Sequence, residues 1–296
     1  MSALAEASEL IAAAAVAAGP AVVGLGPGWR GGSGVVVADG RVLTAAHNLR
    51  GDRTGVVFAD GRRERAQILG ADRELDLAVV SVDTGGVGPL VTATEAGGIG
   101  SPVIALARPG GRALRVTHGF VSTDVREVRG PRGRRIPGIE HTASLPRGSS
   151  GGALLDADQR LIGINVIRLD GGLIVAVDIV ALADEIERLG RGEAPTRRRL
   201  GVAVAPPHVA RRLRRSVGLP DATGILVRAV EEDSPAARAG LERGDLLTEL
   251  GGKPLERVDH LYSALDGGGT DALEFTVLRG TEERAVRIEF NEGVTV

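Results

Sequence analysis

Along the first two-thirds of the chain, hydrophobic residues gather in short Val/Ile/Leu-rich runs cut by Gly, Pro and Asp turns. The runs 34–38, 41–44, 55–58, 66–69, 77–82, 103–107, 114–121, 153–155, 161–167 and 173–177 have the composition and punctuation of strands in closed barrels, which leave few free edges. They predict a mainly β protein opening with two six-stranded barrels that meet near residues 85–100. Residues 179–189 then change period: Ala181, Leu182, Ile186 and Leu189 share one side of a helix, and Asp184, Glu185, Glu187 and Arg188 the other.

The stretch 191–199 is polar, Arg-rich and broken by Gly192 and Pro195, which suits a hinge. Beyond it, strands expected at 225–230, 246–250, 273–278 and 285–288 alternate with short helices in a small α+β unit. One helix start is explicit, with Ser234 as N-cap, Pro235 at the first helical position and Gly240 past the end. The domain plan is therefore an N-terminal helix at 1–20, a barrel domain at 21–190, a linker at 191–199 and a second domain at 200–292. The apolar run 10–25 is split by Gly19-Pro20, follows Glu6 and Glu9, and has no Lys or Arg before Arg30. That pattern predicts a short packed helix, neither a membrane span nor an export signal. It favours a cytoplasmic chain, with an extracytoplasmic (periplasmic or cell-envelope) location as the alternative.

Composition narrows the chemistry. Only 2% of residues are aromatic, so the cores are built from Val, Leu, Ile and Ala. A formal charge of −2 predicts no general attraction to nucleic acid. The basic cluster Arg211, Arg212, Arg214 and Arg215 reads as the wet side of a helix that buries Val209, Leu213 and Val217, and the Arg-rich stretch 126–135 as a surface loop. With no cysteine there is no disulfide framework, thiolate nucleophile or cysteine zinc site; no metal and no cofactor are expected. The GxxxxGK[ST] phosphate loop of an ATP-driven motor does not occur.

Gly148-Ser149-Ser150-Gly151-Gly152 is the strongest local signal. A serine hydroxyl is a poor nucleophile unless a base takes its proton and backbone N–H groups hold the oxyanion, and glycines let the backbone present them. Taken alone, the segment reads equally well as a flexible turn. His47 directly follows an apolar strand in Leu43-Thr44-Ala45-Ala46-His47, and Asp76 opens another in Asp76-Leu77-Ala78-Val79, where a carboxylate needs a partner to be buried. The other histidines, His118, His141, His208 and His260, read as structural or surface residues.

In the order His, Asp, Ser, these motifs resemble those of the HtrA (Deg) family of trypsin-like serine proteases. The resemblance implies two trypsin-like barrels, Ser150 as nucleophile, His47 as base, Asp76 orienting His47, and an oxyanion hole from the N–H groups of Gly148 and Ser150. Ser149 stands where the family usually has Asn, and Ala153 where it has Pro. Ser144, six residues before Ser150, occupies the position of the pocket acid in trypsin-type enzymes, which argues against Lys or Arg at the cut. Ile164, Asn165 and Val166 are expected to wall an apolar pocket suited to aliphatic side chains.

From Arg199 onward the chain resembles a PDZ domain. Leu200-Gly201-Val202 matches the carboxylate-binding loop, though alone it could be an ordinary strand start, and helix 258–265 would form the far wall of the groove. The resemblance implies an ATP-independent endopeptidase that cleaves unfolded or damaged polypeptides and captures peptide C-termini. The alternative is a proteolytically silent chaperone or peptide-binding scaffold. Family trimers form through aromatic residues near the N-terminus, and this chain offers only Trp29 there.

Overall fold

The computed structural model describes residues 2–26, 31–129, 135–193, 198–266 and 272–290; Trp29 and the middle of the Arg-rich stretch lie outside them. The chain divides into two compact units, Met1–Pro195 and Thr196–Val296. None of the described helices is long and apolar enough to cross a membrane.

In the first unit, helix α1 (Ala3–Ala18), capped by the Ser2 hydroxyl, ends in a 3-10 turn at Gly19-Pro20. Six strands then close a barrel in the order β1-β2-β3-β6-β5-β4: β1 (Val22–Leu25), β2 (Ser33–Ala38), β3 (Arg41–Ala45), β4 (Arg53–Val57), β5 (Arg63–Asp72) and β6 (Leu77–Ser81). Strand β1, formed by the end of the apolar run 10–25, was not among the strand runs expected for the barrel domain.

The second barrel has seven strands rather than six, ordered β8-β7-β11-β12-β13-β10-β9. They are β7 (Pro102–Ala107), β8 (Arg115–Phe120), β9 (Glu127–Arg129), β10 (Arg135–His141), β11 (Ala153–Leu155), β12 (Leu161–Arg168) and β13 (Ile174–Asp178). A single bridge from Val121 to His141 brings the β8 end back to β10. The extra strand, β9, pairs among the described residues with β10 alone, Val128 against Ile136, so the ends of the expected Arg-rich loop are antiparallel strands. Pro137 and the charged Arg135 and Glu140 had masked β10.

Side-chain alternation explains why several runs are apolar without interruption. On β2, β3 and β6, Val36, Val42, Ala78 and Val80 fill the first barrel, while Val35, Leu43, Leu77 and Val79 face a second cluster. That cluster also holds Leu106, Ala153, Leu161 and Ile164 of the second barrel, Ala14 and Ala18 of α1, and Leu189 of helix α2 (Ala183–Gly190). The two barrels therefore share a core. On α2, Glu185 departs from the expected wet face: it is buried and paired to Arg188.

In the second unit, a sheet ordered β14-β15-β16-β18-β19 is formed by β14 (Val202–Ala205), β15 (Ile225–Val230), β16 (Leu246–Leu250), β18 (Ala272–Arg279) and β19 (Glu282–Glu289), with β17 (Lys253–Pro254) paired to β16. Helices α3 (Pro207–Ser216), α4 (Pro235–Arg238) and α5 (Val258–Asp266) accompany it. Ser234 caps α4, its hydroxyl accepting from the Ala237 N–H at 3.1 Å. On α3 the expected burial is reversed at two positions. Val217, past the last turn, is 69% exposed, while Arg214 is buried and donates to the carbonyls of Pro220 and Gly280 at 3.1 and 3.0 Å. Arg215 pairs with Asp221, so the four arginines do not form one open basic face.

Asp245 is fully buried; Arg279 donates to its two oxygens at 2.7 and 2.9 Å, and the Glu242 N–H to Oδ2 at 2.9 Å. Arg279 is partly exposed and also donates to Glu242 and the Gly240 carbonyl, so removing Asp245 does not strand it. Asp245→Ala should lower the stability of this unit by about 1 to 2 kcal/mol in urea denaturation, the scale of the lost hydrogen bonds to a charged group; no measurable loss would mean that Glu242 and water replace Asp245 fully.

Candidate active site

The chain arrives at His47 through β3. Its last residue, Ala45, leads into a 3-10 turn, Ala46–Asn48, that lifts the imidazole out of the sheet. Asp76 comes from the opposite direction, in the turn between β5 and β6. There the Asp72 carboxylate accepts the N–H groups of Glu74 and Leu75 at 2.8 and 3.0 Å, and Asp76 takes the left-handed conformation, φ 58°. A non-glycine residue at positive φ is uncommon, and Asp is among the types that tolerate it. The conformation is held because both carboxylate oxygens are used. Oδ1 accepts the His47 backbone N–H at 2.9 Å and Oδ2 meets Nδ1 at 2.6 Å.

With the Asp76 side chain 3% exposed and His47 46% exposed, the acid is sealed behind a ring whose far edge faces solvent. A carboxylate acceptor requires Nδ1 to carry the proton, which leaves Nε2 of the neutral ring as an acceptor. The Asp76 hydrogen bond raises the His47 pKa above its ordinary 6.5; partial burial opposes this and the carboxylate's charge adds to it.

Ser150 lies on the loop before β11, and the first barrel grips that loop. The Ser150 carbonyl accepts from the Ser33 N–H and from Asn48 Nδ2, both at 2.8 Å. Asn48 is the residue after His47, so one short bridge ties the histidine's turn to the serine's loop. Thr44 completes the seam, its hydroxyl donating to the Ser33 carbonyl at 2.7 Å and accepting from Asn48 at 3.1 Å. The sequence reading passed over Ser33, Thr44 and Asn48 as contributors, although two of them flank His47 in its own motif.

The glycines serve close approach rather than looseness. A Cβ on Gly151, at φ 89°, would lie 2.0 Å from the Ser33 carbonyl oxygen and 2.4 Å from the Thr44 hydroxyl, and one on Gly152 2.4 Å from the Leu106 oxygen. The flexible-turn alternative for 148–152 is thereby excluded. Gly148 is at φ 83°. Neither its N–H nor that of Ser150 has an acceptor among the described residues, as an oxyanion hole requires. The Ser150 hydroxyl itself donates to the Val166 carbonyl at 3.3 Å; its bond to His47 is not formed here.

Beside Ser150 opens a pocket of about 440 Å³ whose wall includes Leu145, Asn165, Val166, Ile167 and Ile174, with Arg147 and Arg168 among its lining residues. Two expected wall residues are elsewhere. Ile164 is fully buried in the shared core, because a register irregularity between Asn165 and Ile167 moves the wall to residues 165–168. Ser144 points to solvent, since alternation along 143–145 turns Ala143 and Leu145 inward. Asn165 is buried, and its amide donates to the carbonyls of Gly152 and Ala153 at 3.2 and 2.9 Å. Behind it, His141 is fully buried with Nε2 2.9 Å from the Asn165 Oδ1. Burial drives the His141 pKa down to about 4, the Asn165 bond opposing only weakly.

The two histidines should titrate in opposite directions. In NMR titrations His47 should have its midpoint above 6.5 and lose that elevation in Asp76→Asn, while His141 stays neutral until pH about 4. The raised pKa of His47 means that its contribution to stability is complete below 6.5 and lost as pH rises through the folded value; the lowered one of His141 means that its contribution is present above 6.5 and lost as pH falls toward 4. Lowering the pH from 7 to 5 should therefore destabilise His141→Gln less than wild type in urea denaturation. A His47 midpoint at or below 6.5 would contradict the buried acid's role.

Comparison with known proteins agrees with this architecture. Residues 32–164 match the trypsin-like peptidase domain family and residues 226–279 the PDZ domain family. A probable periplasmic serine endoprotease, DegP-like, of Halomonas elongata is 33% identical over 267 residues, covering 87% of this chain and 55% of its own. A serine protease Do-like HtrA of Lactobacillus helveticus is 31% identical over 288 residues, covering 87% of this chain and 68% of its own. The solved structure of the HtrA-type protease AlgW with a decapeptide superposes with a TM-score of 0.66 at 26% identity, over 94% of this chain and 97% of that one. The chain thus spans about half the length of the Halomonas relative and two-thirds of the Lactobacillus one. With a trypsin-like unit, a PDZ unit and relatives of this likeness, the chain belongs to the HtrA family of serine proteases.

Proposed function

We propose that the chain is a serine endopeptidase in which Ser150, His47 and Asp76 cleave peptide bonds of unfolded or damaged polypeptides. The observation that carries this reading is the buried Asp76 carboxylate, which holds His47 by backbone and ring at once, with the Ser150 loop tied to the next residue. The hydroxyl exchanges its Val166 acceptor for Nε2 of His47, which takes the proton as Oγ attacks the substrate carbonyl carbon. The oxyanion is received by the N–H groups of Gly148 and Ser150. His47 then returns the proton to the leaving amine as the C–N bond breaks, and water releases the acyl group by the same steps in reverse.

The second unit supports capture of chain ends. Gly201 is at φ 77°, and a Cβ there would lie 2.2 Å from the Ser234 Cβ. It opens β14, which is an edge strand of its sheet and offers that edge to an extended peptide. In this reading residues 21–190 form the protease domain, 191–199 the linker and 200–292 the peptide-binding domain. The decapeptide-bound neighbour supports peptide binding. The name of the Halomonas relative supports an extracytoplasmic site of action, and the cytoplasmic expectation finds no support among the relatives.

Wild type should digest casein without ATP and label with a fluorophosphonate at Ser150, and Ser150→Ala should do neither, with turnover reduced by at least about 10³-fold. Equal turnover by both proteins, or none by either, rejects the peptidase and leaves a peptide-holding scaffold.

A further inference from the structure

The pocket beside Ser150 has a charge pattern that its apolar wall does not explain. Leu145, Val166 and Ile174 are each at most 7% exposed and present hydrocarbon. Arg147 and Arg168 also line the pocket, both exposed, and none of its described lining residues is acidic. Neither guanidinium has an ion pair or hydrogen bond among the described residues. Unpaired arginines occur elsewhere on the surface, Arg53 and Arg115 among them; what sets Arg147 and Arg168 apart is that both line the cavity beside Ser150. A chain of net charge −2 has thus placed two cations, with no counter-charge among the described residues, at a cavity that adjoins Ser150.

We propose that this pocket selects an acidic side chain, a Glu or Asp immediately N-terminal to the bond that is cut, with its carboxylate received by Arg168 and Arg147. The inference rests on the peptidase reading above and deepens it. The methylenes of a glutamate lie against the Val166 and Ile174 side of such a pocket, and its carboxylate accepts from the planar N–H edges of guanidinium groups. A lysine or arginine in that place meets two like charges. An aliphatic side chain fits the wall but leaves the arginines without a counter-charge, so it is accepted less well rather than refused. The same carboxylate chemistry could come from a chain terminus, which peptides blocked at both ends remove from the comparison.

The test is kcat/KM for three blocked internal peptides identical except for Glu, Gln or Val at that position. Wild type should prefer Glu to Gln by about 2- to 5-fold, the scale of one exposed charge pair. The preference should shrink as NaCl rises from about 50 mM to about 500 mM. The Glu/Gln ratio should fall to about one in the double variant Arg147→Gln, Arg168→Gln and stay above one in Arg168→Lys. Cleavage of the Gln and Val peptides with no gain for Glu overturns this inference and leaves the peptidase reading standing. Cleavage of none of the three by wild type overturns both. Should the double variant lose all activity, the salt dependence of the wild-type ratio decides: a ratio that does not move with salt overturns the inference.

Discussion

A carboxylate taken out of water without a partner is among the most expensive features a fold can hold, and the arrangement around Asp76 follows from meeting that demand. Its two oxygens are satisfied by two donors of one residue, the backbone N–H and the ring of His47. One rotamer of His47 therefore comes with the fold. The left-handed turn at Asp76 and the Asp72 carboxylate that organises the residues before it belong to the same solution. The consequence is directional: a proton fixed on Nδ1 leaves the other nitrogen as the basic one, and that edge of the ring is the exposed one.

The shared core decides where the third group can be. Strands β2, β3 and β6 are apolar on both faces because one face fills a barrel and the other meets the neighbouring barrel. This packing presses the Ser150 loop onto the start of β2, so closely that Gly151 has no room for a methyl group. Polar groups trapped at such a contact must find partners. Ser33, Thr44, Asn48 and the Ser150 carbonyl find one another. The seam between the barrels is apolar in its depth and hydrogen-bonded at the rim where the chemistry is placed.

Much of this was legible in the sequence, and for identifiable reasons. Apolar runs between Gly and Asp turns report strands, so β15 and β16 fall where expected, and Ser234-Pro235 announces the start of α4. The three motifs bearing His47, Asp76 and Ser150 stand out because an acid opening an apolar strand and a serine among four glycine or serine neighbours are chemically odd. What was not legible depended on direction or on distant neighbours. Ile164 and Ser144 were assigned to the pocket from position alone, whereas a register irregularity and a one-residue alternation turn them away. Strand β10 was concealed by Pro137 and its charges. Arg214, expected on the wet side of its helix, is buried because carbonyls from two separate loops converge on its guanidinium, an arrangement that no local period can announce.

Val166 joins these threads. Its side chain belongs to the pocket wall and its carbonyl accepts the Ser150 hydroxyl. At 3.3 Å that hydrogen bond is long for an O–H donor, whose usual range ends near 3.0 Å, and a hydrogen bond of ordinary quality is worth only about 1 kcal/mol net. Little free energy therefore holds the Ser150 hydroxyl in this rotamer. The pocket wall and the acceptor of that hydroxyl belong to one strand, β12, so what displaces the wall also moves the acceptor, while Asn165, whose amide donates to the carbonyls of Gly152 and Ala153, ties that strand to the serine loop.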